Sequence, residues 1–570
     1  MTLTKFNRLG EWNPQVFREV KGRLKPRNIL IAVAISLLGQ VLLLMSFSSQ
    51  LPVDKWAKEV RHQYCTGPVK NYGYPLCISD SLGGYLINWP LWWKNVFVSL
   101  SVIGIFALLL VGIHMLVSDL SKEEQRGTLN FLRLTPQSTE SILIGKILGV
   151  PILLYVVTIL ALPLHFIAGL SAKIPVAQIL GFYAVLAVSC LFFYSVALLF
   201  GLVGSWLGSF QAWLGSGVML FFLYVMMQVT FGGGRFATHS PFDWLMLFSP
   251  SVILPYFSDP SNVDKFREIP SHSLESLKWF NLPVGASVWS MFGLMLLNYG
   301  VWTFWIWQGL KRCFHNPSTT LLGKQQTYWL TACFQALLLG FALNPDVQSY
   351  RAYSKGLFDN FSILLVFNLL LFLCLIAALS PHRQAMQDWA RYRHQNRSSR
   401  KGGVIADLVW GEKSPALVAI GLNLAIASSV LLPWIFLWPK SEFKFPAIDA
   451  LLVTFSIIFL YATVAQFMLF MKTQKRAIWA AATVTGLIVL PLIIFAFLSL
   501  TPEKTPAVWL LTAFPWVATE HTTAMVVFQA IIAQSLAFGL LSFKLTQQVR
   551  LAGESATKAL MSGRPTAALK

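Results

Sequence analysis

The sequence predicts an all-α polytopic membrane protein with about twelve spanning helices. Three observations carry this. Hydrophobic residues make up 55% of the 570-residue chain and charged residues only 12%, with a mean hydropathy of +0.61. A soluble domain carries about 25% charged residues to wet its surface. Apolar windows long enough to cross a bilayer recur along the whole chain. The net charge of +20 is distributed very unevenly between alternate connecting segments. Six cysteines in 570 residues are too few for a secreted disulfide scaffold.

A spanning helix needs about 20 mostly apolar residues, at ~1.5 Å per residue across a core of ~30 Å. Windows meeting this run near 28–48, 96–117, 146–168, 178–203, 213–229 and 287–309 in the first half. In the second half they run near 328–343, 361–380, 415–438, 448–471, 478–500 and 523–543. Seven Lys or Arg precede the first window and no small-residue cleavage site follows it, so it is not read as a signal peptide. The expected organisation is an interfacial segment 1–27, a first bundle 28–310, a second bundle 311–550 and a tail 551–570.

With the N-terminus placed in the cytosol, inward-facing segments carry 29 Lys plus Arg against 10 Asp plus Glu. Outward-facing segments carry 15 against 14. Membrane proteins keep excess Lys and Arg on the cytosolic side, so both termini are expected there. The same asymmetry assigns the positive charge to the lipid bilayer surface rather than to nucleic acid. Membrane-depth polar groups are few: Gln40, His114, His165, Asn298, Asn368, Asn423, Gln466 and Gln534. No carboxylate lies in the core of a window, whereas proton-coupled carriers usually hold a titratable group there.

Two echoes point to a duplication into six-span halves. Asn13-Pro14 and Asn316-Pro317 each lie about 14 residues before a window, where each could open an amphipathic interfacial helix. Trp244-Leu245 precedes Pro250 by the interval that separates Trp509-Leu510 from Pro515. Both of these stretches are proline-interrupted and suit a re-entrant or interfacial element better than a span. Gly145/Gly149 and Gly204/Gly208 have the i, i+4 spacing that lets helices approach closely.

The most informative segment joins the second and third windows, residues 119–141. Ser121 followed by Glu124 reads as a capping box, which predicts a short helix starting there. Gly127 interrupts it, and Thr128 opens a second short helix presenting Leu129 and Leu132. Thr135-Pro136 ends that helix, and Ser138 caps the next. The expected product is a helical knuckle beneath the membrane.

The run E-E-Q-R-G-T-L-N-F-L-R-L-T-P, with Ser138 and then Gly145-Lys146, resembles the signature of ABC-2-type transporter permeases. The opening N-P-Q-V-F-R-E-V-K-G-R-L, with Asn13, Pro14, Arg18 and Glu19, is similar to that family's first stretch. The resemblance implies an exporter subunit of the bacterial cytoplasmic (inner) membrane. It also implies that the knuckle docks a separate cytosolic ATPase, expected as a dimer, through Glu123, Glu124, Arg126, Gly127, Thr128, Leu129, Leu132, Thr135 and Pro136. ATP and Mg would belong to that partner, and a second permease chain stays open. The corresponding loop of the second half, 381–414, lacks both Gly-Thr-Leu and Thr-Pro.

No phosphate-binding G-x-x-x-x-G-K-[ST] occurs, since Gly145-Lys146 and Gly323-Lys324 are followed by Ile147 and Gln325. No catalytic residue, cofactor or metal site is expected: H-E-x-x-H and G-x-S-x-G are absent and the nine His are scattered. A twelve-span secondary carrier of major-facilitator-like architecture is the alternative reading. Its longest cytosolic connection would join spans six and seven, whereas here it joins eight and nine. Cys65 and Cys77, the only cysteines in an expected outer loop, are expected to pair.

Overall fold

The computed structural model describes residues 10–52, 60–69, 74–79, 84–231, 239–257, 274, 276–317, 319–343, 345, 350–395, 403–439, 442–473 and 475–553. The tail 554–570 and positions 396–402 of the basic loop lie outside the described residues. Among the described residues the chain is helical, with four isolated β-bridges and no strand. It divides into two compact units, the first made mainly of residues up to His315 and the second mainly of residues from Asn316.

Every predicted window falls on helical chain, the third broken at Pro151, and among the described residues ten continuous helical stretches are long and apolar enough to span. The two that fall short are Val288–His315 and Lys324–Ala342. The first carries Trp289, Asn298, Trp302, Trp305, Trp307 and Gln308. The second carries a buried polar stripe, Thr327, Thr331 and Gln335, at one-turn spacing. Such spans as Pro26–Ser49 and Arg476–Leu498 leave most of their apolar surface uncovered. Lipid tails are as apolar as leucine, so this exposure carries no penalty in a bilayer.

The membrane-depth polar groups each find a partner within their own units. His165 bonds through both ring nitrogens, to Ser101 and Tyr183, at 2.8 Å each. Asn298 accepts from the indoles of Trp244 and Trp302. In the second unit Asn423 joins Thr327 and Thr331, and Asn368 pairs with Gln335. Gln40 reaches Leu160, His114 reaches Ser216, Gln466 reaches Met386 and Gln534 reaches Leu510. These bonds join helices, which is what polar side chains do where water is excluded.

Two sequence-based expectations are corrected. Asn316-Pro317 opens no interfacial helix. Thr319 N–H bonds back to the Asn316 carbonyl in a turn, and the helix begins only at Lys324. Gly204 and Gly208 are not a helix-packing pair, because the helix Val176–Val203 ends before them and Gly208 sits in a turn at φ 55°. The Trp244 and Trp509 stretches each form a short helical turn, Asp243–Met246 and Pro506–Trp509, followed by 3₁₀ segments that do not span. Cys65 and Cys77 form a disulfide, with Cα atoms 4.8 Å apart.

The candidate coupling site

The site is assembled within the first unit from four helices. The entry helix Pro14–Arg23 is capped by Asn13, whose side-chain oxygen accepts from Gln15 and Val16 N–H. The Asn13 amide also donates to the Ser141 carbonyl at 2.8 Å, which fixes this helix against the approach helix Thr139–Gly149. The two helices touch closely because the approach helix presents glycines. A Cβ at Gly145 would lie 2.6 Å from the Gln15 Cβ, and one at Gly149 would lie 2.5 Å from the Glu19 Cβ. The Gly145/Gly149 spacing therefore serves packing within the chain.

That contact brings charges together. The Lys146 side chain is 1% exposed, with its ammonium 2.8 Å from Asp119 and 2.7 Å from Glu123. Arg23 pairs with Asp119 and with Glu19, and Arg18 pairs with Glu123 and with Glu19. Three carboxylates and three cations thus alternate in one network. The carboxylates of Glu19, Asp119 and Glu123 lie within 4.8 Å of one another. Their charge is met by Lys146 and the two guanidinium groups, so the cluster carries no argument for a metal.

The second spanning helix does not stop where its apolar window ends. One continuous helical stretch runs from Trp89 to Gln125, passing through a π-helical segment, Ala107–Val111. Ser121 and Glu124 lie inside it, so the expected capping box does not exist. The Ser121 hydroxyl donates instead to the Gly208 carbonyl at 3.0 Å. Gly127 ends this helix at φ 71°, the left-handed conformation that a residue without Cβ adopts cheaply. The knuckle helix Thr128–Arg133 follows, and the Thr128 hydroxyl donates back to the Glu123 carbonyl. Thr135 closes it by donating to the Leu132 carbonyl at 2.7 Å. Pro136 lies beyond in an exposed turn, and Ser138 caps the approach helix through Ser141 N–H.

The apolar residues of the knuckle point opposite to the sequence expectation. Leu129 and Leu132 are turned inward, at 1% and 5% exposure. Phe131 and Leu134 are the residues presented, at 72% and 85%. Arg126 and Thr128 are exposed, while Glu123 and Glu124 are half-buried. The knuckle is also fastened behind, since the Arg133 guanidinium donates to the Phe314 carbonyl at 2.7 Å and Lys311 pairs with Glu140. Between the entry helix and the knuckle lies a polar cavity of about 280 Å³, with Arg18, Lys122, Glu123 and Arg126 among its walls.

Residues 19–298, the greater part of this first unit, match the family described as ABC-2 family transporter protein. That match places residues 19–298 in the ABC-2 transporter family. We found no curated protein and no solved structure that matches it. The ABC-2 match covers both the entry-helix charges from Glu19 onward and the complete knuckle, and it makes this chain a permease of the ABC transporter class rather than a major-facilitator carrier. Arg23, Asp119, Phe131 and Leu134 were not singled out from sequence. The available signal was the placement of Asp119 and Lys146 at the margins of apolar windows, where a charge needs a partner.

The second unit of this ABC-2 protein builds its corresponding segment differently. The helix Arg383–Gln395 packs through Met386 beside Phe470 and Leu545. The short helix Val404–Trp410 follows, with Val404, Ile405 and Trp410 exposed. Its end is stapled by Lys324, whose amine donates to the Leu408 carbonyl, the Ser414 hydroxyl and the Pro415 carbonyl. Burial lowers the Lys324 amine to about 8, with Asp407 opposing that shift.

Proposed function

We propose that this ABC-2 permease is the membrane subunit of an exporter driven by a separate cytosolic ATPase, and that the knuckle is where the two meet. The observation that carries this reading is the pair Phe131 and Leu134. Two large apolar side chains project from a helix whose opposite face is held to its own unit by the buried Leu129 and Leu132 and by Arg133. An anchor of this kind suits an apolar groove on a partner, because rigid apolar side chains lose little freedom on docking. Glu123, Glu124, Arg126, Gly127, Thr128, Leu129, Leu132, Thr135 and Pro136 shape and support that anchor. ATP and Mg are held by the partner. ATP-driven closure would move the knuckle only to the extent that docking is tighter in one conformation than in the other.

This reading puts the knuckle and both termini in the cytosol. Isolation of the chain from its native membrane in mild detergent is expected to bring an ABC ATPase with it; recovery with no such subunit counts against the assignment. In sealed cells an impermeant thiol reagent is expected to reach Lys278→Cys but not Lys122→Cys, both exposed positions. The opposite pattern would invert the topology.

A further inference from the structure

We propose that the knuckle, the entry helix and the lower parts of the second and third spans move as one body about a hinge plane, positioned by Tyr194 and Tyr155. Both helices that enter and leave the knuckle are interrupted at about the same height. The second span is regular α-helix except for the π-helical Ala107–Val111. The third is broken at Pro151, between Thr139–Gly149 and Ile152–Ser171. A π turn and a proline are both recognised causes of a helix bend, and π turns are frequent at functional positions.

Each interruption is held by a tyrosine hydroxyl. Tyr194 donates to the Leu108 carbonyl inside the π segment at 2.7 Å. It fits there only because the next turn begins with Gly112, where a Cβ would overlap the ring and hydroxyl of Tyr194. Pro151 has no N–H, so the Ile147 carbonyl four residues earlier loses its helical partner. Tyr155 supplies the replacement, donating to that carbonyl at 2.8 Å.

Below the two interruptions the parts are locked together. Lys146, five residues before Pro151, binds Asp119, eight residues beyond Val111. At ~1.5 Å per residue, both interruptions therefore lie roughly 8–12 Å above the ion pairs. Arg23 and Arg18 extend the lock to the entry helix. Above it, Phe97 and Ile105 are fully packed in the bundle. Rigid segments joined across two irregular turns bend at those turns.

The test measures distances between spin labels on the full-length chain in lipid nanodiscs, with Cys333 and Cys374 replaced by serine. An Ile103→Cys/Gln125→Cys pair spans the hinge from two exposed positions. A Gln125→Cys/Leu148→Cys pair lies wholly below it. The first pair is expected to give a broad or two-peaked distribution, and the second a single narrow one. Tyr194→Phe should change the populations of the first pair at least twofold and leave the second unchanged, which a merely structural hydroxyl would not do. Tyr155→Phe should act in the same way and serves if Tyr194→Phe does not fold. A single narrow Ile103–Gln125 distance that ignores both substitutions would overturn the hinge, as would equal broadening of the two pairs. No ATPase is present in this measurement, so its outcome is separate from that of the docking assignment.

Discussion

Lys146→Ala is expected to lower the stability of the first unit by about 3 kcal/mol, because it strips a buried carboxylate cluster of its central cation. Asp119 and Glu123, 2.8 and 2.7 Å from that ammonium, would each keep one arginine and lose the other half of their compensation. Lys146→Arg should fail nearly as badly, since a side chain 1% exposed leaves no room for the larger guanidinium. Buried ion pairs add little net stability over a well-packed apolar equivalent, whereas breaking one is costly. The triple change Lys146→Met, Asp119→Asn and Glu123→Gln should therefore recover most of the loss. The measurement is the midpoint of heat-induced loss of the monodisperse detergent-solubilised peak. A Lys146→Ala midpoint equal to wild type would show that the network is not buried as described.

The second large effect separates docking from folding. Phe131→Asp with Leu134→Asp should leave insertion and thermal stability within about 0.5 kcal/mol of wild type, since both side chains are exposed and surface changes are usually that small. The same pair should cost at least ~2 kcal/mol of partner affinity for each anchor, roughly a thousandfold together. ATPase co-purification should be lost. Leu129→Asp should behave in the opposite way. It buries a charge at a position 1% exposed and should reduce the yield of folded protein first, with loss of partner as a consequence. Undiminished ATPase recovery with the Phe131/Leu134 double variant would remove the coupling assignment for this helix.

The inward turn of Leu129 and Leu132 shows where sequence reasoning reached its limit. Their i, i+3 spacing establishes that they share a face, but a six-residue helix has apolar residues on both sides and spacing cannot say which is covered. Arg133 decides it by tying the helix to the Phe314 carbonyl, a contact 181 residues away. The capping box failed for a related reason. Ser121-x-x-Glu124 is a valid start signal, but the preceding turns were already helical, and Ser121 found a better acceptor in Gly208, 87 residues away. Gly127 succeeded because its requirement is local, a left-handed turn that most other residues resist.

By itself, the sequence determined the fold class, the positions of the helices, the glycine turn and the Ser138 cap. Each is a consequence of local physics: apolar length against bilayer thickness, backbone freedom at one residue, or a side chain reaching an amide three residues on. Only the tertiary structure decided that Lys146 lies at the centre of six charges and that Gly145 and Gly149 exist to admit the entry helix. The same holds for Phe131 and Leu134 facing outward, and for the two tyrosines that mend the interrupted helices. Most of those facts depend on residues on different helices meeting at contact distance, from 27 positions apart for Lys146 and Asp119 to 181 for Arg133 and Phe314, and a one-dimensional pattern carries no record of which groups complete a buried charge or an orphaned carbonyl.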